Sequence, residues 1–253
     1  MSGVFEKLLE TKRKKGGGFL LLLDPDRTSE DNYLARAEMA YQCGVDGILV
    51  GSSLVLKSNF PTAVKKIKES TPLPVIIFPG SFAQITPQAD AILFTSLLSG
   101  RNANYLIDEQ VKGAPIVKEF GLEPIPTAYL LIESGVLTSV QYISGTFPIP
   151  RTKFDIACAH ALAAQYLGMK LVYLEAGSGA KLAVMPEMVK AVKSYVDIPV
   201  MVGGGLVTPE DCSSRIGAGA SFVVVGNHFE QGSDPGMLRE MAAAAHPLAT
   251  VTV

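Results

Sequence analysis

In the stretch LVYLEAGSGA, residues 171–180, a carboxylate ends an apolar run and small residues with two glycines follow at once. Glu175 in such a place can hold the hydroxyls of a small phosphorylated polyol, or withdraw a proton from one of them as it attacks an electrophile. Tyr173 lies two residues earlier, on the same face of a strand, and is able to share that task. The plainer alternative for Glu175 is a helix cap or a lysine partner.

Glycines cluster at three later points: Gly177-Ser178-Gly179, Gly203-Gly204-Gly205 and Gly226-Asn227. Glycine lets the backbone approach a ligand closely and exposes its N–H groups. Converging N–H donors with a helix N-terminus behind them make an anion site. Three ordinary turns are the alternative, but their common phase favours a bound phosphate. Asp24, in LLLLDPDR, can bind a metal, act as a base or cap the next helix. Ser53 ends the second apolar run. One carboxylate plus a hydroxyl is a sparse ligand set. It suits Mg²⁺, which keeps waters and takes further oxygens from a substrate's phosphates. No His or Cys cluster points to zinc; His160 and His228 stand alone.

Positioning these groups requires a regular frame. Eight apolar runs recur, at 19–24, 46–51, 73–79, 90–95, within 123–133, and at 170–177, 198–205 and 221–227. Near-continuous hydrophobic strands are what a parallel sheet covered on both faces demands. Helical patterns fit between most of them, at 29–43, 60–69, 104–119, 152–167, 184–195, 208–217 and 234–245. Thr208-Pro209-Glu210 opens one with an N-cap and proline at the first helical position. Eight strands alternating with helices predict an α/β fold, a (β/α)₈ TIM barrel in a single domain over 1–253, with a doubly wound open sheet as the alternative. The stretch PGSFAQITPQA, 79–89, is too short for a crossover helix and its loops. The third helix is therefore expected to be replaced by a loop or extended segment, leaving an opening in the barrel's side.

The bulk properties narrow the class. With 253 residues, 48% of them apolar, the chain can bury a large core. A formal charge of −2 argues against a nucleic-acid partner. Cys43, Cys158 and Cys212 read as buried hydrophobes in a reducing compartment. The apolar run after KRKKGGG is too short for an export signal, so a cytoplasmic protein is expected. The cluster Lys12 to Lys15 reads as a solvated helix end, with at most peripheral membrane contact.

Taken together, LDPDR, DGILVGSS, IPTAYLL, LVYLEAGSGA, IPVMVGGGL and VVVGNHFE resemble the geranylgeranylglyceryl phosphate synthase family over about residues 20 to 230. That family is a modified TIM barrel with helix three replaced by a loop. The resemblance implies a Mg²⁺-dependent prenyltransferase that joins the 3-hydroxyl of sn-glycerol 1-phosphate to a polyprenyl diphosphate, with geranylgeranyl diphosphate the favoured donor, and releases diphosphate. It implies Asp24 and Ser53 as metal ligands, with Ser52 as the alternative to Ser53. It implies a glycerol phosphate site of Tyr173, Leu174, Glu175, Ala176, Gly177, Ser178, Gly179, Gly204, Gly205, Gly226 and Asn227, to which Gly203 is added as part of the same cradle. Glu175 would orient or deprotonate the attacking hydroxyl. Tyr129 would line an apolar prenyl groove running to the gap left by helix three. A homo-oligomer, dimer or hexamer, is also implied.

Two positions depart from the family. Leu22 stands where part of the family has lysine. Ala128 stands where PTGY is common, and a slightly shallower groove floor is expected there. Rival readings remain at this stage. A sugar-phosphate isomerase would use Asp24 and Glu175 as acid and base. A Schiff-base aldolase would want a lysine at the mouth, but Lys170 lies at the wrong end of its strand. An FMN protein and a metabolite-binding barrel without activity complete the alternatives.

Overall fold

The computed structural model describes residues 3–57, 59–226 and 234–249. Eight strands form a closed barrel in chain order: β1 (Gly18–Leu23), β2 (Gly47–Val50), β3 (Val75–Ile77), β4 (Ala91–Leu97), β5 (Glu123–Leu131), β6 (Leu171–Glu175), β7 (Val200–Gly203) and β8 (Phe222–Val225). Every pair is parallel, and β8 closes onto β1 with Leu20 beside Val224. The helices are α1 (Val4–Lys15), α2 (Glu30–Gln42), α3 (Phe60–Ser70), α4 (Glu109–Glu119), α5 (Ser139–Ser144), α6 (Phe154–Tyr166), α7 (Pro186–Tyr195), α8 (Pro209–Gly217) and α9 (Pro235–Ala244). The closed barrel excludes the open-sheet alternative.

The strands are apolar on both faces because each face has its own cover. Leu20, Leu49, Ile76, Leu93, Ile125, Leu171 and Phe222 fill the barrel interior. Leu21, Ile48, Val50, Leu130, Val172, Val202 and Val223 pack outward against the helices. Successive residues alternate between the two layers, as the pleat requires. The N-terminal helix α1 was expected only as a helix end at Lys12 to Lys15 and was not among the helical segments placed between the strands. It plugs the bottom of the barrel: Leu8 is buried in the interior cluster, with Val4, Phe5 and Leu9 packed against it. Its basic end is more than a solvated cluster, because Lys15 pairs with the buried Asp46 at 2.6 Å.

The predicted cap of α8 is present. Thr208 accepts from the Asp211 backbone N–H, while the Asp211 carboxylate reaches back to Thr208. Between β3 and β4 a single 3₁₀ turn (Phe82–Gln84) takes the place of a helix. The buried Gln84 gives that turn a purpose. Its amide donates to the Ser52 carbonyl at 2.7 Å and accepts from the Gly80 N–H at 3.2 Å, tying the loop after β3 to the loop after β2.

Candidate active site

All the strand-end groups proposed for chemistry, where described, lie at the C-terminal face of the barrel, the face on which loops are free to vary while strands hold position. Asp24, Ser52 and Ser53 on one side, and Glu175, Gly177, Ser178, Gly179, Gly204, Gly205 and Gly226 on the other, open onto one cavity. Asn227 lies outside the described residues.

Glu175 is the last residue of β6 and points up the barrel axis with Tyr173 one pleat below it. Its carboxylate is buried, accepts a hydrogen bond from the Gly177 N–H at 2.7 Å, and has no cation beside it among the described residues. Burial pushes its pKa up to about 7, against the opposing pull of Tyr173 and the Gly177 N–H. The Tyr173 hydroxyl faces the same carboxylate but closes no well-directed hydrogen bond among the described residues. Burial, and then the negative charge of Glu175, hold its pKa well above the usual phenol value. A buried hydroxyl left without a partner costs free energy unless a ligand supplies one.

The glycines divide into two jobs. Gly204, Gly205, Gly177 and Gly179 all have positive φ, between +72° and +96°, and line the cavity. Gly203 does not line it. A Cβ there would collide with the Tyr173 hydroxyl and stand 2.6 Å from Glu175 Oε2, so its missing side chain makes room for the two polar groups rather than for a ligand. Leu174 and Ala176 also differ from expectation: their side chains turn outward into the helix-facing core, and the Ala176 N–H is already bonded to the Gly203 carbonyl at 3.0 Å. Ala128 likewise faces the helices, one pleat out of phase with Tyr129, so it forms no part of a groove floor.

Asp24 follows β1. Its pKa is raised by burial, against the Ser52 hydroxyl, the Asp26 N–H at 3.0 Å and the Arg27 guanidinium at 3.4 Å. Ser52 is thus the hydroxyl placed to pull on Asp24, although its single proton is donated to the Leu54 carbonyl at 3.0 Å; Ser53 lines the cavity beside it. No group of three or more His, Cys, Asp or Glu able to hold a metal occurs among the described residues. A desolvated carboxylate with a neighbouring hydroxyl, both hard oxygen donors, fits a cation that brings its own waters and shares a substrate's phosphate oxygens, namely Mg²⁺. It does not fit zinc.

From this polar end the cavity continues as an apolar arm. Phe78, Tyr129 and Tyr173 form a triangle with ring centroids 5.4–5.8 Å apart, Tyr129 stacked on Tyr173 and Phe78 set edgewise and tilted against them. Beyond them Leu97, Ile92 and Ile85 lead towards the side left open by the short 3₁₀ turn. There Gly113 of α4 admits the approach of Ile85, whose Cδ1 would lie 2.9 Å from a Cβ.

A family model described as the PcrB family matches residues 9–245. The chain belongs to the PcrB family. It is 46% identical over 230 residues to the geranylgeranylglyceryl phosphate synthase of Thermococcus gammatolerans, covering 90% of each chain. Over 224 residues it is 44% identical to the enzyme of the same name from Spirosoma linguale, covering 88% of this chain and 89% of that one. Among solved structures it is similar to (S)-3-O-geranylgeranylglyceryl phosphate synthase from Thermoplasma acidophilum in complex with its substrate sn-glycerol-1-phosphate. The TM-score is 0.92 and the identity 38%, over 97% of this chain and 99% of that one.

Within this PcrB-family site, three residues escaped the sequence reading. Gln84 fixes the backbone of Ser52. Thr138, after β5, presses its side chain against Gly177, with a buried hydroxyl that has no partner among the described residues. Arg27 lines the cavity three residues after Asp24. Arg27 alone carried a signal, since it belongs to the LDPDR run; the other two depend on loop paths that no periodicity encodes.

Proposed function

We propose that this chain is a prenyltransferase that forms the ether bond between the 3-hydroxyl of sn-glycerol 1-phosphate and geranylgeranyl diphosphate, releasing diphosphate. The observation that carries the reading is the continuity of one cavity. A glycine-lined polar end with a buried acid leads, past a cluster of three aromatic rings, into an apolar arm. A small anionic alcohol and a long allylic chain need that pairing of environments, and a sugar-phosphate isomerase does not.

In this reading the loops at Gly177–Gly179, Gly204–Gly205 and Gly226 hold the phosphate of the glycerol substrate. Tyr173 and Glu175 meet its hydroxyls. Glu175, with a pKa of about 7, is poised to accept the proton of the attacking 3-hydroxyl at neutral pH. Asp24, with Ser52 or Ser53, would hold Mg²⁺, which when bound supplies charge neutralisation to the departing diphosphate. Phe78, Tyr129 and the residues beyond exclude water from the allylic carbon as it gains positive character, and their ring faces favour that charge. A homo-oligomer and a cytoplasmic location belong to the same proposal. No helix among the described residues is long and apolar enough to cross a membrane.

The test is incubation of the protein with sn-glycerol 1-phosphate, Mg²⁺ and prenyl diphosphates of graded length, with the lipid product identified by mass. A geranylgeranyl ether is the expected product. Absence of any prenyl ether with every donor would overturn the reading.

A further inference from the structure

The cavity is short of positive charge. Three carboxylates line it, Asp24, Glu109 and Glu175, and both substrates of the proposed reaction are anionic. Leu22 lines the cavity with an apolar side chain, which lies against Gly226. Among the described residues that line the cavity, Arg27 is the one with a cationic side chain.

Arg27 is placed over the mouth and loosely tethered. Its Nε lies 3.4 Å from Asp24 Oδ2, and its guanidinium donates at 3.4 Å to Ser139 Oγ. Ser139 opens α5 after β5, which stands opposite β1 in an eight-stranded barrel, so the side chain reaches across from the Asp24 side. Both contacts are at the long end for hydrogen bonds, and the side chain is 42% exposed. Contacts of that kind are readily exchanged for a stronger anion. The loop that carries Arg27 is itself fixed: the Asp26 carboxylate accepts from the backbone N–H groups of Leu56 and Lys57, and Lys57 Nζ donates to the Pro25 carbonyl at 3.4 Å. The loop after β1 and the loop bearing Ser52 and Ser53 are therefore tied together. A planar guanidinium offers paired N–H donors that match the non-bridging oxygens of a diphosphate.

We propose that Arg27 is a catalytic residue that binds the diphosphate of the prenyl donor on the side away from Asp24 and stabilises it as it leaves. The inference rests on the prenyl-transfer reading. In the step, the allylic C1–O bond breaks and its electron pair goes to the diphosphate oxygen. C1 bonds to the glycerol 3-oxygen, and the hydroxyl proton passes to Glu175. Arg27 donates to the non-bridging oxygens on which negative charge accumulates.

The experiment compares the wild type with Arg27→Gln and Arg27→Lys by calorimetric titration with inorganic diphosphate in the presence of Mg²⁺, beside separate titrations with sn-glycerol 1-phosphate and with Mg²⁺ alone. Arg27→Gln is expected to weaken diphosphate binding about 10- to 100-fold, and Arg27→Lys less, with glycerol phosphate affinity and thermal midpoint unchanged. In turnover, kcat/KM for the prenyl donor falls while KM for glycerol phosphate holds. Diphosphate affinity unchanged within about twofold overturns the proposal. So does a loss seen equally with Mg²⁺ alone, which would make Arg27 a support for Asp24. The diphosphate titration reads out without prenyl transfer, so failure of the wild type to make any ether strikes the proposed reaction and leaves the assignment of a diphosphate subsite to this measurement.

Discussion

The carboxylate of Glu175 lies across the backbone of Gly204: a Cβ on that glycine would stand 2.5 Å from Glu175 Oε1 and 2.7 Å from the Gly177 nitrogen. The acid of β6 and the glycine loop after β7 therefore hold one another in place. Gly204 also has a φ of +79°, a conformation that costs an ordinary residue about 1–3 kcal/mol. Gly204→Ala should lower the unfolding free energy, read from urea melts, by about 1–3 kcal/mol or more. It should also displace Glu175, so the remaining activity should lose its dependence on a group titrating near neutrality. A variant with wild-type stability and an unchanged pH profile would show that the two residues are not interlocked.

Glu175 destabilises the fold that holds it. Its carboxyl has an ordinary value of 4.5 and a folded value of about 7, so the folded state binds the proton more tightly than the unfolded chain. Stability is then unpenalised below about pH 4.5, falls as pH rises through the window between those values, and carries the full penalty above pH 7, on the order of 3 kcal/mol. Glu175→Gln should raise the thermal midpoint above pH 7, with the gain fading towards pH 4.5. In the same variant kcat should fall about 10²- to 10⁴-fold, and the wild-type rise in kcat/KM through about pH 7 should vanish. Thermal melts and rate profiles over pH 4 to 9 check both. A gain in midpoint that grew on acidification would contradict the sign.

Tyr173 presents the opposite balance. Its hydroxyl is buried and, among the described residues, closes no well-directed hydrogen bond, facing the Glu175 carboxylate alone, so removing it relieves a desolvated group at the loss of that one weak contact. Tyr173→Phe should leave stability equal or higher by about 1 kcal/mol, while weakening sn-glycerol 1-phosphate binding about tenfold. Calorimetric titration beside denaturant melts separates the two effects. Lost stability with intact binding would mean that the hydroxyl serves the fold.

The frame was legible because of how it is covered. A strand buried on both faces must be apolar throughout, so a polar residue at its end, such as Asp24 or Glu175, marks the barrel's mouth. The 79–89 segment was legible by length alone. What escaped was direction. Gly203, Leu174 and Ala176 sit in the same motif as Gly204 and Glu175, yet only neighbouring side chains decide that Gly203 shelters Tyr173 and that Leu174 turns outward. For Ala128 the strand's period of two already contained the answer, since Tyr129 cannot share a face with the residue before it. The plug α1 left an apolar spacing in Val4, Phe5, Leu8 and Leu9, but nothing local says that a helix closes a barrel's floor.

Asp24 is held at a raised pKa by burial, which makes a cation the natural relief of its charge. Mg²⁺ affinity should rise with pH through the carboxyl's titration and level off above it. Asp24→Ala should abolish turnover with the fold intact by circular dichroism. Excess chelator should do the same to the wild type, and addition of Mg²⁺ should reverse it. Full activity in chelator would remove the metal role from Asp24.

At the opposite end of the barrel, Asp46 answers for stability rather than chemistry. Its Oδ2 meets His246 Nε2 at 2.7 Å and the Phe19 N–H at 2.8 Å, and its Oδ1 meets Lys15 Nζ at 2.6 Å. The buried carboxylate thereby ties the plug helix, the first strand and the segment after α9 to the turn before β2. Although burial pulls the other way, His246, Lys15 and the Phe19 N–H together hold the Asp46 pKa below the usual carboxylate value. Its contribution is therefore present above about pH 4 and is lost as pH falls through the lowered folded value. Asp46→Ala leaves His246 and Lys15 facing a cavity without their anion, and should cost about 3–5 kcal/mol, on the order of 10 °C in thermal midpoint. Melting the variant and the wild type at neutral pH and again near pH 3 tests the assignment. The difference should be large at neutral pH and shrink in acid, and a variant that matched the wild type at neutral pH would show that the plug is held by Leu8 and its apolar neighbours alone.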